Sequence, residues 1–240
     1  MAFFIKEKTL PLQTEKINLI MKGKSISSIT KKFLMALTGA GFVLFLLFHG
    51  AMNLVSVFSP EGYNAICEFL GANWYAVVGT IGLAILMAGH ILIGVVLTIQ
   101  NLKARGNARY KKTERPSGVE WSSQNMLAFG LFILFGIVMH LYDFWYRMQF
   151  AELTGLEPAN GIERIKLIFS SNYLSVMYLI WLVVLWFHLS HGVWSMFQSI
   201  GWNNDNWKRR GQIIAYIVAS CIVLLFAAVV VYYWLIFPNL

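Results

Sequence analysis

The sequence predicts an all-α membrane protein, a bundle of five transmembrane helices preceded by a polar arm. Three observations carry that prediction. The 240 residues are 58% hydrophobic and only 12% charged, where a soluble domain is nearer ~25% charged. Five stretches, roughly 31–58, 74–101, 122–147, 173–199 and 209–236, are apolar and long; crossing a hydrocarbon core of ~30 Å takes ~20 such residues. Segments of ~10 residues with alternating polarity, the mark of a membrane β-barrel, are absent.

The arm covers residues 1–30 and the helical domain 31–240. No secretory signal peptide is expected in the arm, because its apolar run is short and Lys6, Lys8, Lys16, Lys22 and Lys24 interrupt it. An amphipathic arm of this kind is expected on the membrane surface or against a partner. The first span leads into a short acidic loop, Ser59-Pro60-Glu61-Gly62 through Gly71. Gly79, Gly82, Gly89 and Gly94 thin the second span, which allows close helix approach or room for a flat cofactor. The loop 102–121 is basic and broken by Gly106 and Pro116. After the third span comes the longest loop, 148–172, with a surface helix expected over Ile162–Phe169. The turn Asn203–Trp207 is short, so the fourth and fifth helices are neighbours. Trp74, Trp121, Trp145, Trp202, Trp207 and Trp234 fall near span ends, as aromatic belts do.

Net charge is +8, yet its placement speaks for topology rather than nucleic acid. With the N-terminus in the cytoplasm, 16 of the 19 basic residues lie in inner segments, and only Arg147, Arg164 and Lys166 lie outside. That is the positive-inside pattern, and it also suits docking of an acidic soluble partner. Cys67 falls in the first outer loop and Cys221 within the fifth span. They are too far apart in depth to pair and have no second ligand at metal-site spacing.

All five histidines, His49, His90, His140, His188 and His191, lie inside apolar spans. Ionisable residues there are functional candidates by default. A rise of ~1.5 Å per residue places His49 ~7 Å and His140 ~8 Å to the outer side of their midpoints. The same arithmetic places His90 ~4 Å, His188 ~3 Å and His191 ~7 Å to the inner side. So His49 pairs in depth with His140, and His90 with His191 or His188. A structural zinc site needs four N, S or O ligands, and a di-iron bundle needs glutamates on its helices; the span interiors offer neither. Two imidazoles at one depth suit the axial positions of a haem b, twice over. Lys31, Lys32, Arg209 and Arg210 are candidates for the inner propionates and Arg147 for the outer ones. A bis-imidazole haem keeps no open position, so it carries electrons.

Thr38-Gly39 stands ten residues before His49. His140-Leu141-Tyr142 follows in the third span. His191-Gly192, the stretch Ser195-Met196-Phe197-Gln198 and Gly201-Trp202 complete the set. In order, spacing and five-span topology these residues resemble the di-haem cytochrome b membrane subunit of succinate dehydrogenase/fumarate reductase. The resemblance is to the single-subunit, menaquinone-linked type and covers roughly 31–236. It implies His49 and His140 on an outer haem and His90 and His191 on an inner one. It further implies two soluble partners on the cytoplasmic face of the cell's inner membrane: an FAD flavoprotein acting on succinate and fumarate, and an iron–sulfur protein. This chain would be the quinone-reactive, electron-transferring subunit of that enzyme, without succinate chemistry of its own. A glutamate of the first outer loop is expected to take the quinol's protons, with Glu68 the first candidate, Glu61 the second and Asp143 a further one. Some members carry a glutamate two residues before the His-Gly pair for proton passage. Here Leu189 stands there, which puts such a relay in doubt; His188 is the residue able to substitute.

Two other readings compete. A cytochrome b of a hydrogenase or formate dehydrogenase would put its catalytic partner outside, against the basic inner face. A haem-free proton-coupled transporter would often show inverted repeats and broken helices, and neither is seen.

Overall fold

The computed structural model describes residues 27–105, 121–202 and 204–239, and every element in them is helical. Most of the arm and the basic loop, with Arg109, Lys111, Lys112 and Arg115, lie outside the described residues. The helices are α1 Ser28–Phe58, α2 Pro60–Phe69, α3 Trp74–Arg105, α4 Trp121–Gln124, α5 Met126–His140, α6 Gln149–Leu153, α7 Gly161–Phe169, α8 Asn172–Ser199 and α9 Asp205–Val231. Helices α5 and α9 each run on into a π-helical turn, Leu141–Trp145 and Tyr232–Ile236.

Five helices are long and apolar enough to cross a bilayer: Ser28–Phe58, Trp74–Ala104, Met126–Trp145, Asn172–Ser199 and Trp207–Ile236. The chain is a multi-pass membrane protein. Ile29, Phe58, Trp74 and Tyr173 are each at least 70% exposed, as suits side chains that face hydrocarbon or its interface.

Local chemistry sets the helix starts. Ser27, Ser59, Asn160, Ser171 and Asn204 each accept a backbone N–H of the first turn through a side-chain oxygen. Ser59 caps α2, Pro60 holds its first turn and Glu61 sits at its positive end. This explains why a stretch expected to be loop is a helix of 10 residues. The predicted surface helix is present as α7, begun by the Asn160 cap.

Helix α8 packs against both α1 and α9, and α1 against α9, forming the tightest part of the bundle. Leu182, Leu185 and Leu189 of α8 close on Ala219 and Ile222 of α9, both wholly inaccessible. Helix α5 lies on α8, and α3 lies on α1 with lighter contact to α5. At one end, α2 and α7 cover the bundle, burying Tyr63, Ile165, Ile168, Phe169 and Tyr233 together. We call this the capped end. The other, the basic end, carries Lys31, Lys32, Arg209 and Arg210.

Packing demands a glycine at position 136. A Cβ on Gly136 would overlap the indole of Trp181, and that indole is held by donating to the Ile133 carbonyl at 3.2 Å. Gly136→Ala should therefore destabilise the bundle by about 1–3 kcal/mol through overpacking. Gly130→Ala, where the new methyl meets nothing within 4 Å, should not. Thermal melting of the two variants in detergent checks the contrast.

Candidate functional site

The histidines meet in pairs across helices. Near the capped end, the rings of His49 on α1 and His140 on α5 stand 5.9 Å apart between centroids, at 84°. Phe45 stacks on His49 at 5.2 Å and Phe226 lies 5.7 Å from it. Phe144, Trp181 and Tyr178 surround His140. The Asn53 amide donates to the His49 carbonyl at 2.8 Å, and its nitrogen is 3.4 Å from His49 Nδ1. Its oxygen accepts from Tyr63 Oη of α2 at 3.3 Å. A polar thread thus ties His49 to the capping helix.

Nearer the basic end, His90 of α3 and His188 of α8 face each other at 6.3 Å and 61°, with Phe42 edge-on to His90 at 5.4 Å. The Thr38 hydroxyl lies 3.0 Å from both the Leu34 and Met35 carbonyls and 2.9 Å from His90 Nδ1. A hydroxyl has one proton. Given to a carbonyl of its own helix, it leaves Thr38 Oγ1 to accept from His90 Nδ1–H. His90 Nε2 then carries the lone pair, as a metal ligand must. A hydrogen-bond partner of this kind is able to hold a histidine in one tautomer. His188 Nδ1 is buried with no hydrogen-bond partner among the described residues, a condition that costs about 1–3 kcal/mol unless something satisfies it. His191 is half-buried and within electrostatic reach of His188.

The pair spacings can be set against the geometry of two imidazoles on one iron. Metal–imidazole bonds are ~2.0–2.1 Å and a ring nitrogen stands ~1.1 Å from its ring centre, so imidazoles on opposite faces of one iron have centroids ~6.3 Å apart. The two observed separations lie at and just below that value. A Cβ added to Gly89 or to Gly192 would meet nothing within 4 Å. Among the described residues no three His, Cys, Asp or Glu converge as a metal cage would require; what converges is pairs.

The other candidates are spread over both ends. Lys31 is half-buried and Lys32 exposed in the first turns of α1. Arg209 and Arg210 are exposed, and the Arg210 guanidinium lies 5.6 Å over Trp207. At the capped end Arg147 lies 5.5 Å over both Tyr142 and Tyr146. Glu61 and Glu68 are exposed on α2. Asp143 is instead buried, 6% exposed, with Tyr178 Oη donating to its Oδ2 at 2.9 Å. Sequence reasoning gave no place to Asn53, Tyr63, Tyr178 or Trp181. Nothing in a one-dimensional pattern separates them from ordinary polar or belt residues.

Comparison with protein-family models, curated proteins and solved structures finds no match for this chain.

At the capping helix, burial pushes the Tyr63 hydroxyl and the Cys67 thiol above their ordinary ranges. A thiol held protonated is a poor nucleophile. Maleimide labelling of Cys67 in the folded protein should therefore lag the denatured chain at neutral pH. The gap should narrow as pH rises; a lag that pH does not change would leave access alone in control.

Proposed function

We propose that the chain is the di-haem membrane subunit of a succinate:quinone oxidoreductase, the reading its sequence resemblance implies. It would pass electrons through two haems b between a cytoplasmic iron–sulfur subunit and membrane menaquinone. The single observation that carries this is the two cross-helix imidazole pairs, at two depths and at 5.9 and 6.3 Å.

His49 and His140 would hold the outer haem. For the inner haem, the ring facing His90 is that of His188, and we take His188 as its ligand where the resemblance implies His191. When bound, a bis-imidazole haem supplies one-electron transfer without an open position for oxygen. The polypeptide does the rest. Thr38 holds His90 in the ligating tautomer, Phe42, Phe45, Phe226 and Trp181 keep the rings in apolar surroundings, and the separate depths divide one membrane crossing into shorter steps. The basic end, with Lys31, Lys32, Arg209 and Arg210, is suited to inner propionates and to acidic soluble partners, the flavoprotein and iron–sulfur protein. On this reading the basic end would face the cytoplasm. Glu68, exposed on α2, would meet protons released by a quinol at the opposite face.

A pyridine haemochrome assay on the purified chain should give two b-type haems; a colourless, folded chain overturns the reading. His49→Ala or His140→Ala should remove one haem and leave the other. His188→Ala should remove the inner haem while His191→Ala keeps both, and the reverse result returns the ligand to His191. Thr38→Val should weaken retention of the inner haem by ~10–100-fold, as loss of a histidine's second-shell partner does, with the outer haem unchanged in the same titration against a haem acceptor.

A further inference from the structure

At the capped end, a surface cavity of about 530 Å³ opens beside the end of the third span, within the ~300–1,000 Å³ of small-molecule sites. Tyr146, Arg147, Glu157, Asn160, Glu163 and Arg164 are among the residues that line it. The proposed electron path makes no use of it. Backbone bonds fix its walls. The Ala159 amide donates to the Arg147 carbonyl at 2.9 Å, folding the loop back on the π-helical turn, and the Leu156 amide donates to the Ala151 carbonyl at 2.9 Å. Gly155, at φ +74°, makes the turn that ends α6. Arg164 Nε donates to the Asp143 carbonyl, which leaves the Nη side of its guanidinium fork for other acceptors. Arg147 is exposed and lies 5.5 Å over both Tyr142 and Tyr146, with Nη2 donating to Tyr142 Oη at 3.3 Å. It is propped on aromatic faces rather than committed to a carboxylate.

We propose that this cavity binds the headgroup of an aminophospholipid of the phosphatidylethanolamine kind, from the leaflet at the capped end. Its phosphate would lie on Arg147 and Arg164 and its primary ammonium on Glu157 and Glu163. Two observations carry this. The first is charge. The lining holds two guanidiniums and two carboxylates, so a simple anion would meet two like charges and so would a simple cation. A phosphate joined to an ammonium meets both signs, and arginine is the side chain whose fork matches phosphate. A primary ammonium donates hydrogen bonds to carboxylates, which a quaternary one cannot. The second is the apolar track that leads to the cavity. Leu131, Phe135, Val138 and Tyr142 are 57–61% exposed and recur at helical spacing on one face. From Leu131 to Tyr142 the rise is ~16 Å, about one leaflet of a ~30 Å core. The Tyr142 and Tyr146 rings stack at 6.1 Å, and Tyr146 is itself part of the cavity wall. An acyl chain lying along this face would bring its headgroup to Arg147, two residues beyond the span that ends at Trp145. A bound lipid would tie the loop 155–160 and α7 to the end of the third span, whatever the histidines hold.

The test is native mass spectrometry of the full-length chain, delipidated in maltoside micelles and titrated with dioleoyl phosphatidylethanolamine, phosphatidylcholine and phosphatidylglycerol in equal amounts. The wild type should retain one phosphatidylethanolamine at least ~10-fold more tightly than either of the others, the order of one charge-assisted hydrogen bond. Arg147→Gln should remove that preference and Arg147→Lys, which keeps the charge, should hold most of it. Glu157→Gln combined with Glu163→Gln should instead let phosphatidylglycerol bind as well as phosphatidylethanolamine, a change of selectivity that misfolding would not produce. Lys103→Gln, at the basic end, should leave the wild-type pattern. Equal retention of all three lipids, unmoved by the variants, means annular lipid only and overturns the proposal. Free phosphoethanolamine carries the headgroup without the chains and should fail to displace the lipid at equal concentration; displacement there would make the ligand a soluble zwitterion and overturn the lipid assignment. Displacement by menaquinone, one for one, would overturn it in favour of a quinone. None of these readings depends on haem, so a colourless chain that keeps its lipid overturns the electron-transfer reading alone.

Discussion

Hydrocarbon supplies no hydrogen-bond partner, so every polar group inside this bundle must be satisfied by another part of the protein. The internal bonds follow from that constraint. Tyr233 Oη of the last π turn donates to the Ser56 carbonyl of α1 at 2.7 Å. Trp186 Nε1 donates to Ser220 Oγ across α8 and α9 at 3.0 Å, and Ser175 Oγ returns to the Phe169 carbonyl at 3.0 Å. With no hydrophobic drive between helices in lipid, such bonds and close van der Waals contact are what hold the spans together. The histidines obey the same rule. Thr38 lies within hydrogen-bond distance of His90, while among the described residues His188 Nδ1 has no hydrogen-bond partner.

The tight trio of α1, α8 and α9 is the frame on which the less enclosed helices α3 and α5 are hung. Each histidine pair joins one frame helix to one hung helix: α1 to α5 through His49 and His140, α8 to α3 through His90 and His188. A group bound between the rings of either pair would therefore also tie α3 or α5 to the frame. Cofactor and fold would stabilise one another, since a ligand that binds only the folded state adds its binding free energy to stability. The light contact of α3 with the rest of the bundle suits such an arrangement.

The capped end is built differently from the basic end. Helices α2 and α7 lie over the spans and bury a dense group of aromatic and branched side chains, and the loop between α2 and α3 is tied down by Glu152, which accepts from the Ala72 amide at 3.0 Å. Two polar threads run from this cover into the bundle, Tyr63–Asn53–His49 and Arg164–Asp143–Tyr178. The basic end has exposed cations and a stacked pair, Phe197 and Trp202, at 5.7 Å.

The amino-acid sequence by itself determined the five spans, their order and the depth of every histidine, because hydropathy selects what enters lipid and the rise per residue is constant. From depth alone followed the pairing of His49 with His140 and the grouping of His90 with the two histidines of the fourth span. It could not determine azimuth. His188 and His191 differ by three residues and lie on nearby faces, and only the packing of α8 between α1 and α9 turns His188 towards His90. Nor could it foresee that Asp143, at a span end, would be closed over by α7 and Tyr178, while Glu68 in a neighbouring loop stayed exposed. Which face of a helix is turned inward depends on contacts made between helices, and those exist only once the bundle is assembled.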